Sequence, residues 1–331
     1  MPITFSLMVL SAKFLSEKSF MKIIFFYVKI FFVLAILFYL FSENKLTSDS
    51  FGLITNKPYV SFFLLSLLIF LSVPITTLRW QIILKNLKLS NEKFMLLYRL
   101  TMMSQFFALF LPGQGLSDFT KGFYLHNQSN KTQIYLSIIL DRLSGLYSIF
   151  LVFIILFFFN FDFISKNLII TYFCYLVILL FFTVNLCLYV FKNTFGNLIK
   201  KIGNKFIIEK LEIVNLALKN ITFKLFVSTV LLSLLNQFII LSLFMIINYN
   251  FNTNDLNELF NLASLNPISQ LATIIPLAPI GIGVGHLSYE SLYAIYNFTN
   301  GANVFNLFVF YKVILGLIGG IFYIFLKRKV V

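Results

Sequence analysis

Six stretches of this chain, residues 23–41, 58–78, 134–159, 168–191, 225–249 and 304–326, are almost uninterruptedly apolar. A helix crosses the hydrocarbon of a bilayer in roughly 20 residues, so each stretch is long enough to span it. No other feature limits the fold as much. In lipid, every backbone N–H and C=O must be satisfied within the protein, and runs of this length meet that demand as helices. The composition agrees, with 59% of the 331 residues hydrophobic, 11% charged, and 44 of them Phe. No polar stretch is long enough to build a separate soluble domain. The expectation is an all-α integral membrane protein: a cytoplasmic segment, 1–22, then one polytopic domain, 23–331. Met21-Lys22 directly before an apolar run reads as a natural beginning, which makes residues 1–20 an upstream-start extension. The first run is too long for a signal-peptide core and lacks a small-residue cleavage site, so it is expected to be retained.

Two further apolar runs, 94–111 and 259–298, are broken by Gly and Pro. One break is Leu111-Pro112-Gly113-Gln114-Gly115; the other lies between Pro276 and Gly285. They occupy matching places in the two halves. Backbone leaves helical geometry inside a bilayer only where protein or a cavity supports it, so paired interruptions point to a transporter's substrate site.

The basic residues set the sidedness. Lys13, Lys18 and Lys22 precede the first span; Arg79, Lys85, Lys88, Lys93 and Arg99 follow the second. Seven lysines from Lys192 to Lys224 follow the fourth, and Lys327, Arg328 and Lys329 close the chain. The positive-inside rule places both termini and both basic loops in the cytoplasm. The net charge of +14 therefore reports orientation and contact with anionic lipid, and nucleic acid is not an expected partner. Parity then requires 94–111 to enter and return on the cytoplasmic side, and 259–298 to do so from outside. About six transmembrane helices plus two re-entrant hairpins satisfy every loop. The layout also reads as an inverted repeat, about 23–160 and 168–326. Eight plain helices kinked at Pro are the alternative.

Several residues could carry chemistry. Gly113 and Gly115 allow positive φ and close approach of a ligand or a second backbone. Ser117 or Asp118 is placed to cap the following helix, whose N-terminal amides would face a phosphate. Asp141-Arg142 lies inside the third span, where an isolated charge costs about 2.5–3.5 kcal/mol, so the pair implies a polar cavity. Adjacent helical residues point about 100° apart, which favours separate partners: Lys121 for Asp141, and Asp118 or a lipid phosphate for Arg142. Gly281, Gly283 and Gly285 suit a thin hairpin tip; they are no dinucleotide fingerprint, since no βαβ unit surrounds them. His286 and Glu290, four apart, would share a helix face and suit proton relay or headgroup binding. Arg79-Trp80 reads as an interfacial anchor. Cys174 and Cys187, thirteen apart in one apolar run, read as small core hydrophobes rather than a disulfide. No cofactor, metal-ligand spacing or nucleophile elbow stands out, so an enzyme is not expected.

At these residues the chain resembles the lysylphosphatidylglycerol synthase transmembrane-region family of flippase-like proteins. The likeness runs from Arg79-Trp80 to Leu326. It is carried by Arg79-Trp80, by Phe110-Leu111-Pro112-Gly113 with Gly115 and Asp118, by Asp141-Arg142-Leu143, and by Ile275-Pro276 followed by Gly281 to His286. The resemblance implies a polytopic domain that moves lipids across the bacterial inner membrane, without the soluble synthase domain fused to it in two-domain relatives. Three places depart from the commoner pattern: Lys121 for Arg, Asp141 for Glu, and Gly285-His286 for Arg-Glu. The expected partners are membrane lipids, an anionic phospholipid or a lipid-linked saccharide, with a second copy or a separate lipid-modifying enzyme as protein partner. The rival readings are an accessory protein of envelope glycolipid assembly and an integral membrane transferase.

Overall fold

The computed structural model describes residues 38, 42, 52–89, 92–111, 114–125, 131–199, 222–275 and 277–325. In chain order its helices are α1 (Pro58–Asn86), α2 (Phe94–Phe107), α3 (Gln114–Leu125) and α4 (Lys131–Phe159). They continue as α5 (Leu168–Ile199), α6 (Phe223–Phe251), α7 (Leu256–Thr273), α8 (Val284–Ile295) and α9 (Gly301–Phe325). Among the described residues, five helices are long and apolar enough to cross a membrane: α1, α4, α5 as far as Leu186, α6 and α9. They match five of the six expected spans. The span 23–41 apart from Phe38, the segment 1–22, Gly113, Pro276 and the basic stretches 200–221 and 326–331 lie outside the described residues. The architecture is an all-α, multi-pass helical bundle.

Helix α1 runs further than the apolar pattern suggests, to Asn86 rather than residue 78. It accommodates Pro74 with a π turn at Leu68–Ser72. A proline ring meets the carbonyl four residues back, here Phe70, and the wider turn sits at that point.

Neither broken run is one continuous helix. The first ends α2 at Phe107, turns, and restarts as α3, which packs back on α2. The second ends α7 at Thr273, passes through a 3₁₀ turn at Pro279–Gly281, and restarts as α8 against α7. Pro267 sits within α7 without ending it. Helix α3 touches the Pro279–Gly281 turn, so the two interruptions meet in space.

Helices α1, α4 and α6 pack on one another, and α2 lies along α9. That last approach depends on Gly319, where a Cβ would come 2.1 Å from the carbonyl oxygen of Met102. Small residues at helix crossings let backbones close up in this way. Helix α5 packs on α4 at the margin of the bundle and exposes Leu168, Ile169, Tyr172, Leu176 and Leu179, a surface suited to lipid. Its Cys174 is buried in the apolar core, as expected of a small hydrophobe.

Candidate functional site

A cavity of about 460 Å³ opens within the bundle, and every labelled helix except α5 contributes to its wall. Its charged lining consists of Arg79, Asp118, Lys121, Asp141, Arg142 and Lys312. Arg79, Asp141, Arg142 and Lys312 lie on spanning helices, where an isolated charge costs about 2.5–3.5 kcal/mol, so the grouping of charges in one polar recess is what makes them tolerable.

Asp118 is the hub on one side. It is 2% exposed, and its Oδ1 accepts from Lys121 Nζ at 2.8 Å and from Ser104 Oγ at 3.0 Å. Its Oδ2 accepts from Arg142 Nη2. Burial alone would raise this carboxyl, but the Arg142 and Lys121 charges and the Lys121 and Ser104 hydrogen bonds outweigh it and hold the pKa at about 2. Asp118 is therefore a fixed anion. Lys121 also lies 4.9 Å from the centroid of the Trp80 ring, whose Nε1 donates to Ser137 Oγ at 3.1 Å.

The second cluster joins three spanning helices. Arg79 Nε donates to Asp141 Oδ1 at 2.6 Å, and Arg79 Nη1 donates to Ser233 Oγ at 2.8 Å. One guanidinium thus ties α1 to α4 and α6. Its planar fork holds the two acceptors in a fixed geometry that a flexible ammonium does not impose.

Sequence reasoning brought Asp118, Lys121, Asp141 and Arg142 to one place, and all four line the cavity. Of the two partners expected for Arg142, Asp118 or a lipid phosphate, the structure shows Asp118. Three expectations are corrected. Asp141 pairs with Arg79, not Lys121, because α1 continues past residue 78 and carries Arg79 inward. Arg79 and Trp80 are consequently core residues, 6% and 0% exposed, rather than an interfacial anchor. Finally, α3 begins at Gln114, so Ser117 and Asp118 sit inside it and do not cap it, and Gly115 is helical. Gly115 does line the cavity, and a Cβ there would meet nothing within 4 Å.

The second interruption is built differently. Gly281 and Gly283 have φ of 80° and 84°, a region that favours glycine. Ile280 shares the left-handed region at φ 56°, unusual for a β-branched residue, and is held there by burial. At Gly285 a Cβ would come 2.1 Å from the Phe305 ring, so only glycine leaves room for that aromatic. The His286 ring is edge-on to Phe305, centroids 4.9 Å apart, and its Nδ1 accepts from the Gly283 N–H at 3.3 Å. Burial, opposed by a hydrogen bond to Asn306, pushes His286 down to about 4, so it is neutral. Glu290 Oε2 accepts from the Ala302 N–H at 3.0 Å and thereby caps α9. His286 and Glu290 thus serve separate neighbours, and Gly283, Gly285, His286 and Glu290 stand outside the cavity lining, whereas Ile280 and Tyr289 belong to it.

A family model described as the lysylphosphatidylglycerol synthase TM region matches residues 26–320. The chain belongs to this family. The match covers both interruptions and all six charged cavity residues, so the flippase-like membrane region is the whole context of the site. No match was found among curated proteins or among solved structures.

Two cavity residues escaped the sequence reading. Arg79 was misplaced because the apolar run stops one residue before it. Lys312 is a single ionisable residue inside the apolar run 304–326, and that is the sequence signal that points to it. Its Nζ lies 5.6 Å from the Phe308 centroid, and it forms no ion pair among the described residues.

Proposed function

We propose that this chain binds a lipid headgroup in the cavity and carries it across the bacterial cytoplasmic membrane while the acyl chains stay in lipid. One observation carries the reading. The charged floor beside Arg142 adjoins an apolar rim, because Leu116 and Phe119 line the cavity and are also exposed, and Leu143 beside Arg142 is exposed too. An amphiphile entering sideways would find apolar surface for its chains and cations for its headgroup. Arg142 keeps 34% of its side chain accessible, and its Nε has no hydrogen-bond partner among the described residues. A guanidinium already anchored by Asp118 can offer the rest of its fork to a phosphate.

In this reading α2–α3 and α7–α8 are re-entrant hairpins of an inverted repeat, and both termini are cytoplasmic. The protein acts without catalysis of its own, on phospholipid or lipid-linked saccharide. The neutral amides Gln105, Gln237 and Gln270 also face the cavity, which favours a headgroup carrying hydroxyls.

Translocation of fluorescent lipid in reconstituted vesicles tests the assignment of Arg142. Arg142→Lys keeps the charge and loses the fork, so the rate should fall several-fold. Arg142→Ala should fall further, by roughly tenfold or more, as loss of a charge-assisted hydrogen bond implies. A folded Arg142→Ala protein that moves phospholipid and lipid-linked sugar at the wild-type rate would remove Arg142 from the site.

A further inference from the structure

We infer that the cavity selects a headgroup bearing two negative charges, a phosphomonoester or diphosphate, over a singly charged phosphodiester, and that Lys312 supplies the second cation. The inference rests on the headgroup reading above and sharpens it to a charge class.

The argument begins with the charges that line the recess. Among the described residues these are four cations, Arg79, Lys121, Arg142 and Lys312, and two carboxylates, Asp118 and Asp141. Asp141 is taken up by Arg79. Asp118 is shared between Lys121 and Arg142, which leaves one positive charge over at that cluster. Lys312 has no carboxylate within ion-pair distance among the described residues and rests against the face of Phe308. Two positive charges therefore stand uncompensated in a space walled largely by helices.

The chemistry of the two free groups is complementary. Arg142 is a partly accessible guanidinium held in place by a carboxylate, so it fixes the position of one phosphate oxygen. Lys312 is an ammonium on α9 that lines the same cavity as Arg142. Two like charges facing one recess repel until an anion bridges them. A phosphodiester carries one negative charge and satisfies one of them. A phosphomonoester, whose second ionisation lies near 6, or a diphosphate satisfies both. Bringing Lys312 into the membrane without a carboxylate is costly, and an incoming dianion removes that cost at the moment of binding. An aminoacylated headgroup, with its added ammonium groups, is disfavoured by the same repulsion.

The test is equilibrium binding to the full chain in detergent at neutral pH, with probes of similar chain length. They are short-chain phosphatidic acid, geranylgeranyl diphosphate, short-chain phosphatidylglycerol and short-chain phosphatidylcholine. At least one of phosphatidic acid and geranylgeranyl diphosphate, which reach two or more negative charges, should bind roughly tenfold or more tighter than phosphatidylglycerol, as one extra charge contact at low effective dielectric implies, and the tighter of the two names the phosphate class. Lys312→Gln should cut that preference to about twofold, and Lys312→Arg should retain it, which separates charge from folding. Equal affinity for phosphatidylglycerol and both dianions would overturn the charge class and leave the headgroup reading intact. An undiminished preference in folded Lys312→Gln would remove Lys312 from the site. Failure of all four lipids to bind would overturn the headgroup reading itself.

Discussion

The two interrupted helix pairs are made from the same kinds of residue and put them to opposite uses. In α2–α3 the polar groups just past the break, Asp118 and Lys121, turn into the cavity and are joined there by Ser104 and Arg142. In α7–α8 the corresponding groups turn away, His286 to Gly283 and Phe305, Glu290 to the start of α9. The glycines divide likewise. Gly115 has open space around it, whereas Gly281 and Gly283 are required by their φ and Gly285 by the Phe305 ring. One pair presents chemistry; the other is a wall that presents Ile280, Thr273 and Gln270 to the same space, with Asn266 Nδ2 and Ser269 Oγ buried without a hydrogen-bond partner among the described residues. A Gly/Pro break marks where backbone must be irregular, but the partners of the flanking side chains decide whether it is also reactive.

The contrast can be broken most sharply at Asp118. Asp118→Asn leaves Lys121 and Arg142 facing each other without their shared anion, and removing one partner of a buried pair costs about 3–5 kcal/mol. Denaturation of the detergent-solubilised protein should show a loss of this size. The wild-type contribution has a defined pH window. A carboxyl lowered from 3.8 to about 2 stabilises fully above the higher value and is lost as pH falls through the lower, so the variant should lack that acid-sensitive step.

Gly285→Ala comes next in size. The added Cβ would lie 2.1 Å from Phe305, and forcing a group into a packed core costs about 1–3 kcal/mol. Stability should fall by this amount in thermal unfolding, and any change in lipid affinity should come with it, because the displaced Phe305 also lines the cavity. A large affinity loss without destabilisation would instead make the second break part of the binding surface and erase the contrast.

The smallest effect belongs to Gly115→Ala. No atom lies within 4 Å of the new methyl, and alanine is the better helix former by about 0.8–1.0 kcal/mol in a helix interior. Thermal unfolding should show no loss or a slight gain. A marked destabilisation would mean that Gly115, like Gly285, is held by a neighbour.

The chain by itself determined the class, five of its spans, the positions of both interruptions and the grouping of Asp118, Lys121, Asp141 and Arg142. Those are properties of local composition: apolar length, helix-breaking Pro and Gly, and the expense of charge inside an apolar run. Tertiary structure decided which carboxylate meets which cation. Asp141 goes to Arg79, 62 residues away, and Arg79 goes on to Ser233, 154 away, because α1, α4 and α6 are neighbours in the bundle. Sequence spacing fixes which side chains share a helix face but not which helix lies opposite. The same limit applies to Lys312, whose meaning depends on its sharing one cavity with Arg142 and Asp118. Nor does spacing show that the His286 ring packs on Phe305 or that Glu290 accepts from the Ala302 amide.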